Sequence, residues 1–318
     1  MHYLFGFLCV CALGVVPLVG SSDTTGDGVG GDGGTEMVPF DCDTPAPANC
    51  PTAPPDSIDA ERPADALVPT DYAPSARYPL VIVLHGLGSF GSANAIYLGA
   101  IQRVDSRQYI LVTPDALEDV EGVRGWNADA IVLEFEPEPP DDRAYVRRLI
   151  AEAKRTYRID EDRIYLMGTS NGGHLALDLI CEDPTVVTAV LNQAGALPED
   201  APCDTGATSL LSVHGTDDET VAFGGGLREN GVTILSAVNL VAQFAARSGC
   251  APVEVSANLD LVPDPPGAET RVQSYSGCLG GSESALWAVQ QGPHVPDFTD
   301  AARDLWFDWL LASTRSQN

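Results

Sequence analysis

One serine in this chain lies where a serine nucleophile would be expected. An apolar, β-leaning run ends in Gly-x-Ser-x-Gly-Gly and leads directly into a helix-forming run: RIYLMGTSNGGHLAL, residues 163–177. A strand, a sharp turn carrying a serine and a helix form the nucleophile-elbow pattern. Gly168 and Gly172 lack a Cβ, so the turn can tighten and the helix can pack close to the strand. We therefore predict that Ser170 is catalytic; the alternative is a serine that only caps the helix.

A serine nucleophile needs a base within hydrogen-bond reach, and the base needs a third group to orient it. We predict that His294 is the base, because it lies in a loop with glycine and proline neighbours after the last predicted strand and before the closing helix. Of the other four histidines, His85 and His214 end predicted strands and His174 lies on the helix behind the serine. His2 lies at the N-terminus, within the predicted signal peptide.

The acid of such a triad lies between serine and histidine in chain order on this type of fold. An acidic triplet, Asp217-Asp218-Glu219, follows the strand that ends at His214. We predict Asp218, whose role would be to fix the tautomer of His294. Asp217 is the alternative, and we expect Glu219 to be solvated.

Two backbone N–H groups must face the oxyanion of a tetrahedral intermediate. We predict that one comes from Asn171, directly after the serine, and the other from Leu87 in the loop His85-Gly86-Leu87-Gly88. We assign substrate contact to Trp126 and His85. Packing in the core is the alternative for Trp126.

From about residue 66 the chain alternates apolar strands with helices, and we see no internal repeat. This alternation predicts an α/β fold with a mostly parallel central sheet flanked by helices and a single catalytic domain. Active sites of such sheets lie at the C-terminal ends of the strands, where the candidate residues fall. The predicted strands and helices are, in order, strands at 78–84, 109–114, 163–167, 186–191, 209–213, 271–275 and 286–289, and helices at 142–153, 171–181, 234–247 and 300–311.

The N-terminal part of the chain has a different composition. Residues 3–19 are an apolar run followed by Gly-Ser-Ser, which is typical of a signal peptide over residues 1–21. A retained anchor helix is the alternative, because this run has no Lys or Arg before it. Residues 22–55 are rich in Gly, Asp, Thr and Pro and read as a flexible linker, which leaves 56–318 for the catalytic domain.

Six cysteines follow the predicted signal peptide. An even number in an exported chain indicates disulfides, and sequential pairing is the simplest of the fifteen arrangements. None of the spacings is that of a zinc site, so we expect no metal and no cofactor. The cysteines are Cys42, Cys50, Cys181, Cys203, Cys250 and Cys278.

The chain carries a formal net charge of −28 and a single lysine, Lys154, among its 17 basic residues. So acidic a surface offers no basic patch for nucleic acid and repels anionic membranes. We therefore expect no nucleic-acid partner, no membrane association once the signal is removed, and a monomer. The expected location is outside the cytoplasm, in the extracellular space or the periplasm.

These motifs resemble the α/β-hydrolase superfamily, and within it the secreted polyhydroxybutyrate depolymerase/feruloyl esterase-like proteins. The resemblance covers roughly residues 78–311 and implies a Ser-His-Asp triad with its acid at Asp218. It also implies a disulfide between Cys250 and Cys278. The family's usual tryptophan two residues after the base is absent, since Pro296 stands there. The resemblance rests on PLVIVLHG at 79–86, GWN at 125–127, GTSNGG at 168–173, HGTDD at 214–218 and GPH at 292–294.

The predicted function is hydrolysis of carboxylic esters by a secreted serine esterase working through an acyl-enzyme. Its small-molecule or oligomeric substrates would be feruloyl or acetyl esters of plant polysaccharide, or hydroxyalkanoate oligomers. A peptidase on the same fold is one alternative, because it would use the same triad. A non-catalytic binding protein on a hydrolase scaffold is another, but such a protein would normally have lost a triad member.

Overall fold

A computed structural model describes residues 42–43, 50–204, 206–256 and 258–315. These residues form a ten-stranded sheet in the order β1-β2-β4-β3-β5-β6-β7-β12-β11-β10, with a separate two-stranded hairpin, β8-β9. The six strands from β4 to β12 in this order run parallel, and antiparallel strands flank them on both sides. The predicted α/β architecture with a mostly parallel sheet is confirmed.

The strands are β1 Ser57–Ile58, β2 Ala64–Leu67, β3 Tyr78–Leu84, β4 Ile110–Thr113, β5 Ile159–Thr169, β6 Ala189–Gln193, β7 Ser209–Gly215, β8 Gly226–Leu227, β9 Thr233–Ile234, β10 Glu254–Val255, β11 Thr270–Tyr275 and β12 Ser284–Val289. The α-helices are α1 Gly91–Tyr97, α2 Val104–Arg107, α3 Asp142–Thr156, α4 Asn171–Glu182, α5 Ala237–Arg247 and α6 Asp300–Ala312.

The core lies on both faces of the sheet, because its central strands are apolar along their whole length. All seven residues of β3 are buried, and alternate side chains point to opposite faces. Leu80, Ile82 and Leu84 pack with helices α3, α4 and α5. Val81 and Val83 pack with helices α1 and α6 on the other face. Burial on both faces explains why the strand sequences do not alternate between apolar and polar residues.

Several predicted elements have different bounds in the structure, and for two of them the local cause is clear. Helix α5 begins at Ala237 rather than at residue 234, because the Ser236 side chain caps it by accepting a hydrogen bond from the N–H of Asn239. Ile234 instead pairs with Gly226 in the β8-β9 hairpin. The strand predicted at 186–191 runs from 189 to 193, since the preceding residues form a turn closed by the N–H of Val186 on the carbonyl of Asp183.

Part of the segment assigned to the linker packs on the domain. Cys42 is buried, and its N–H donates to the carbonyl of Arg155 at the end of α3. The hydroxyl of Tyr157 donates to the carbonyl of Pro55 at 2.8 Å. The predicted signal peptide and the rest of the linker lie outside the described residues. Within the described ranges, no helix combines the length and the apolar character needed to cross a membrane.

Candidate active site

Ser170 lies at the sharp turn between β5 and α4. Its backbone has φ 52° and ψ −116°, a region that non-glycine residues rarely occupy and that stores strain. The neighbouring glycines permit the turn: a Cβ on Gly172 would lie 2.2 Å from the carbonyl oxygen of Leu84, and one on Gly168 would lie 2.4 Å from that of Gly172. The turn is fixed by the N–H of Ser170, which donates to the carbonyl of Gln193 at 2.8 Å.

The structure brings Ser170, His294 and Asp218 into one hydrogen-bonded chain. The Oγ of Ser170 lies 2.9 Å from Nε2 of His294, and Nδ1 of His294 lies 2.7 Å from Oδ2 of Asp218. A carboxylate can only accept, so the proton of this imidazole is on Nδ1 and Nε2 is free to accept from the serine hydroxyl. This is the arrangement a general base requires.

The Asp218 side chain is fully buried and accepts hydrogen bonds at both oxygens. Its Oδ1 receives the N–H groups of Thr220 and Val221, each at 2.8 Å, and its Oδ2 receives His294. Burial alone would raise the pKa of Asp218, but the hydrogen bonds from His214, His294 and Val221 outweigh it and lower the pKa below its usual range. The carboxyl is therefore ionised at neutral pH.

Asp217 lies outside this arrangement. Its side chain is exposed and, among the described residues, accepts a hydrogen bond from the hydroxyl of Thr216 alone, at 3.3 Å. Glu219 is exposed as well. Of the acidic triplet, only Asp218 reaches His294, and the geometry therefore favours Asp218 over Asp217 as the acid.

A second histidine touches the same carboxylate. Nε2 of His214 lies 3.1 Å from Oδ2 of Asp218 and 2.8 Å from the carbonyl oxygen of Val221. Both neighbours are acceptors, so Nε2 carries the proton. The sequence shows that His214 precedes the acidic triplet, but it does not indicate a hydrogen bond between His214 and the acid itself.

Gln193 at the end of β6 holds both the serine and the histidine. Its carbonyl accepts from the N–H of Ser170, and its side-chain amide donates to the carbonyl of His294, each at 2.8 Å. Gln193 is itself buried. Sequence reasoning missed this residue, because a glutamine at the end of an apolar strand carries no recognisable motif.

The two N–H groups predicted for the oxyanion site lie on either side of the serine turn. Asn171 is the first residue of α4, and the first N–H groups of a helix have no partner within the helix. The N–H of Leu87 makes no hydrogen bond to any residue that the structure describes. The Asn171 side chain is engaged elsewhere: its oxygen accepts from the N–H of Trp126, and its amide donates to the carbonyl of Trp126 at 2.9 Å.

The assignment of Trp126 and His85 to substrate contact is wrong, because both side chains are completely buried. The indole N–H of Trp126 donates to the carbonyl of His85 at 2.9 Å, and Nε2 of His85 accepts from the N–H of Ala116 at 3.0 Å. Burial lowers the pKa of His85, which keeps it neutral. These residues support the loop that carries Leu87 and do not reach a ligand.

Burial also excludes His174 as a base. It is fully buried on α4, and burial lowers its pKa to about 3. The N–H of Ala196 donates to its Nδ1 at 2.8 Å. As expected from its position one turn beyond the serine, its side chain points into the packing of the helix.

The six cysteines that follow the predicted signal peptide form disulfides in the sequential arrangement: Cys42–Cys50, Cys181–Cys203 and Cys250–Cys278. Disulfides persist in oxidising compartments, so these pairs fit an extracellular location. In the part of the chain that the structure describes, no group of His, Cys, Asp or Glu side chains is placed to hold a metal ion.

The comparisons with known proteins identify the class. The family model described as "Putative esterase" matches residues 56–249, more than half of the chain, and the chain belongs to this esterase family. The feruloyl esterase D of Neurospora crassa is 26% identical over 253 residues, which cover 74% of this chain and 75% of that protein. "Putative esterase NocK" of Nocardia uniformis is 32% identical over 151 residues, which cover 46% of this chain but only 42% of NocK.

Solved structures agree on the fold. An acetyl xylan esterase from Aspergillus awamori has a TM-score of 0.54 and 14% identity, covering 78% of this chain and 93% of that one. A thermostable esterase has a TM-score of 0.52 and 19% identity, covering 82% of this chain and 64% of that one. The α/β-hydrolase fold is confirmed, in agreement with the membership of the esterase family.

Proposed function

We propose that this protein is a secreted serine esterase that acts through an acyl-enzyme. The observation that carries the proposal is the hydrogen-bonded chain from Ser170 through His294 to Asp218, at 2.9 and 2.7 Å. Three side chains from distant parts of the sequence meet there in the order and tautomer that serine catalysis needs. A strained serine backbone, φ 52°, is further support, because such strain persists where the structure gains function from it.

In the first half of the reaction, Ser170 Oγ attacks the ester carbonyl while Nε2 of His294 takes its proton. The N–H groups of Asn171 and Leu87 donate to the oxyanion, and Asp218 stabilises the imidazolium. His294 then returns the proton to the leaving alcohol, and the acyl group stays on Ser170. In the second half, water attacks the acyl-enzyme with the same base, which releases the acid and restores the serine.

For the substrate class we propose feruloyl or acetyl esters of plant polysaccharide, with hydroxyalkanoate oligomers as the second candidate. The match to a feruloyl esterase over three quarters of both chains supports the first candidate. The three disulfides support export, for which the apolar run at residues 3–19 would be the signal. We take residues 56–318 as the catalytic domain.

The test is turnover of methyl ferulate, a 3-hydroxybutyrate oligomer and 4-nitrophenyl acetate by protein spanning residues 22–318. The variant Ser170→Ala provides the blank, and a fluorophosphonate label reports whether the serine is nucleophilic. We expect hydrolysis and labelling of the native protein and neither in the variant. Equal signals from the two proteins, or none from either, would refute the serine mechanism. The preferred ester would decide between the substrate classes.

A further inference from the structure

A cleft of about 540 Å³ opens beside the proposed catalytic site. Leu87, whose N–H is assigned to the oxyanion, lines one side of it, and Thr220, whose N–H donates to Asp218, lines the other. Leu133 also lines the cleft, and it lies close to Leu87. A Cβ on Gly125 would lie 2.6 Å from Cδ1 of Leu133 and 2.7 Å from Cδ1 of Leu87. The same Cβ would lie 3.4 Å from Oδ1 of Asn171. The cleft is therefore placed to receive the part of a substrate next to its ester carbonyl.

The lining of this cleft is mostly apolar or neutral, but it includes Arg228. Arg228 follows β8, and the hairpin holds its backbone: its N–H donates to the carbonyl of Val232 and its carbonyl accepts from the N–H of Gly231. The side chain is partly buried, and the Nη1 atom is shielded from solvent without any hydrogen-bond partner. Among the described residues, no carboxylate lies within ion-pair distance of it.

Arg228 carries a partly buried positive charge without an ion-pair partner among the described residues. Acidic residues outnumber basic ones by 45 to 17, and a partly buried cation without a partner is costly. Burial lowers the pKa of Arg228, and the charge of Asp218 opposes that effect. Two glutamates line the cleft as well, Glu219 and Glu229, but both are exposed to solvent.

We infer that Arg228 is a specificity residue that binds a carboxylate carried by the ester substrate. A carboxylate matches the planar guanidinium and would pair a charge that has no ion-pair partner among the described residues. The anionic surface of the protein would otherwise repel such a substrate, so a local cation is needed to admit it. The carboxylate would belong either to the acyl group or to the alcohol. This inference rests on the proposed function, because it places the cleft next to a working serine.

The test compares matched pairs of esters of similar size, in which one ester is neutral and the other carries a carboxylate. For the acyl side, 4-nitrophenyl valerate is compared with mono-4-nitrophenyl glutarate. For the alcohol side, the butyrate ester of 3-hydroxybenzamide is compared with that of 3-hydroxybenzoate. Each pair is measured as kcat/KM with the native protein, Arg228→Gln, Arg228→Lys and a control, Arg271→Gln. Arg271 is exposed on β11, so the control removes the same charge from a site outside the cleft.

We expect the charged ester to be preferred in one of the two pairs, which would identify the side that carries the carboxylate. Loss of a charge-assisted hydrogen bond should lower kcat/KM of Arg228→Gln for that ester about 10- to 100-fold. The neutral partner should change less than about twofold, within the range of ordinary surface substitutions. Arg228→Lys should retain part of the preference, and Arg271→Gln all of it.

Two results would overturn the inference while leaving the esterase intact. One is turnover of the neutral esters with no preference for charge in either pair. The other is an equal loss for charged and neutral esters in Arg228→Gln, which would mean that Arg228 only supports Asp218. If no ester is turned over above the Ser170→Ala blank, the proposed function fails first and the inference with it.

Discussion

Replacing Asp218 by asparagine tests the site most sharply, because the two oxygens of this carboxylate have different partners. Oδ1 accepts two backbone N–H groups, from Thr220 and Val221, and Oδ2 accepts from His294 and faces His214. An asparagine must therefore place its oxygen at the Oδ1 position, since its amide would clash with two donors there. Its NH₂ group then points at His294 and His214.

The consequence is a wrong tautomer at the base. Facing an NH₂ donor, Nδ1 of His294 must become the acceptor, and its proton moves to Nε2, which faces Ser170. The imidazole then cannot accept the serine proton. A substitution of this kind in a serine protease lowers kcat about 10⁴-fold, and we expect the same order here. That factor corresponds to about 5 kcal/mol of transition-state stabilisation.

The assay is steady-state hydrolysis of a 4-nitrophenyl ester together with the rate of fluorophosphonate labelling, since both depend on the activated serine. Asp217→Asn is the matched control, because Asp217 is exposed one residue away and should change kcat less than about twofold. Circular dichroism establishes that both variants are folded. Activity of Asp218→Asn within tenfold of the native protein, or a comparable loss in Asp217→Asn, would refute the assignment.

Three further predictions concern stability. Burial raises the pKa of Asp178 to about 7, so the folded protein keeps a proton that the unfolded chain releases from about pH 4. The free energy of unfolding of the protein should therefore fall as the pH rises from 4 to 7, and Asp178→Asn should remove that dependence in urea titrations. Gly172→Ala places a Cβ 2.2 Å from the Leu84 oxygen and should cost about 3 kcal/mol, measured by thermal unfolding; a cost under 1 kcal/mol would contradict the close approach. Replacing Cys181 and Cys203 by serine opens a loop with sequence separation 22 and should lower the free energy of unfolding by about 3 kcal/mol in urea titrations. A variant as stable as the oxidised native protein would contradict this.

The proposed triad could be predicted from the sequence because each member follows a strand in a recognisable local pattern. Ser170 is marked by its glycines, Asp218 by its position in chain order between serine and histidine, and His294 by its loop before the last helix. Chain order and strand-end position are properties of the topology, and the apolar strands already indicate that topology. Asp218 was predicted from the sequence with Asp217 as the alternative, and the geometry favours Asp218.

Side-chain burial could not be predicted in the same way. Trp126 lies in an irregular segment, where neither helical nor strand periodicity indicates which residues face the core. Arg228 lies on a hairpin between glycine-rich turns, and its neighbours in the cleft come from distant parts of the chain. By contrast, the start of α5 carried a readable signal, because Ser236 is a preferred capping residue.

The arrangement of the strands in the sheet does not by itself explain how Ser170 and His294 come into contact. Ser170 follows β5 and His294 follows β12, and β6 and β7 lie between these strands. Neighbouring strands are about 4.8 Å apart, so the two strand ends are separated by about 14 Å. Ser170 Oγ and His294 Nε2 nevertheless lie 2.9 Å apart, so the loop after β12 must pass over the ends of β7 and β6 towards Ser170.

Two contacts hold the loop in that position, one at each intervening strand. At the end of β7, Gly215 lets the loop pass directly over the backbone, since a Cβ there would lie 2.2 Å from the carbonyl oxygen of Gly292. At the end of β6, the amide of Gln193 donates to the carbonyl of His294, while its own carbonyl fixes the N–H of Ser170. The separation of base and nucleophile is therefore set by residues that take no part in the proposed chemistry. Gly215 and Gln193 are as necessary to the geometry of the site as the strained turn at Ser170.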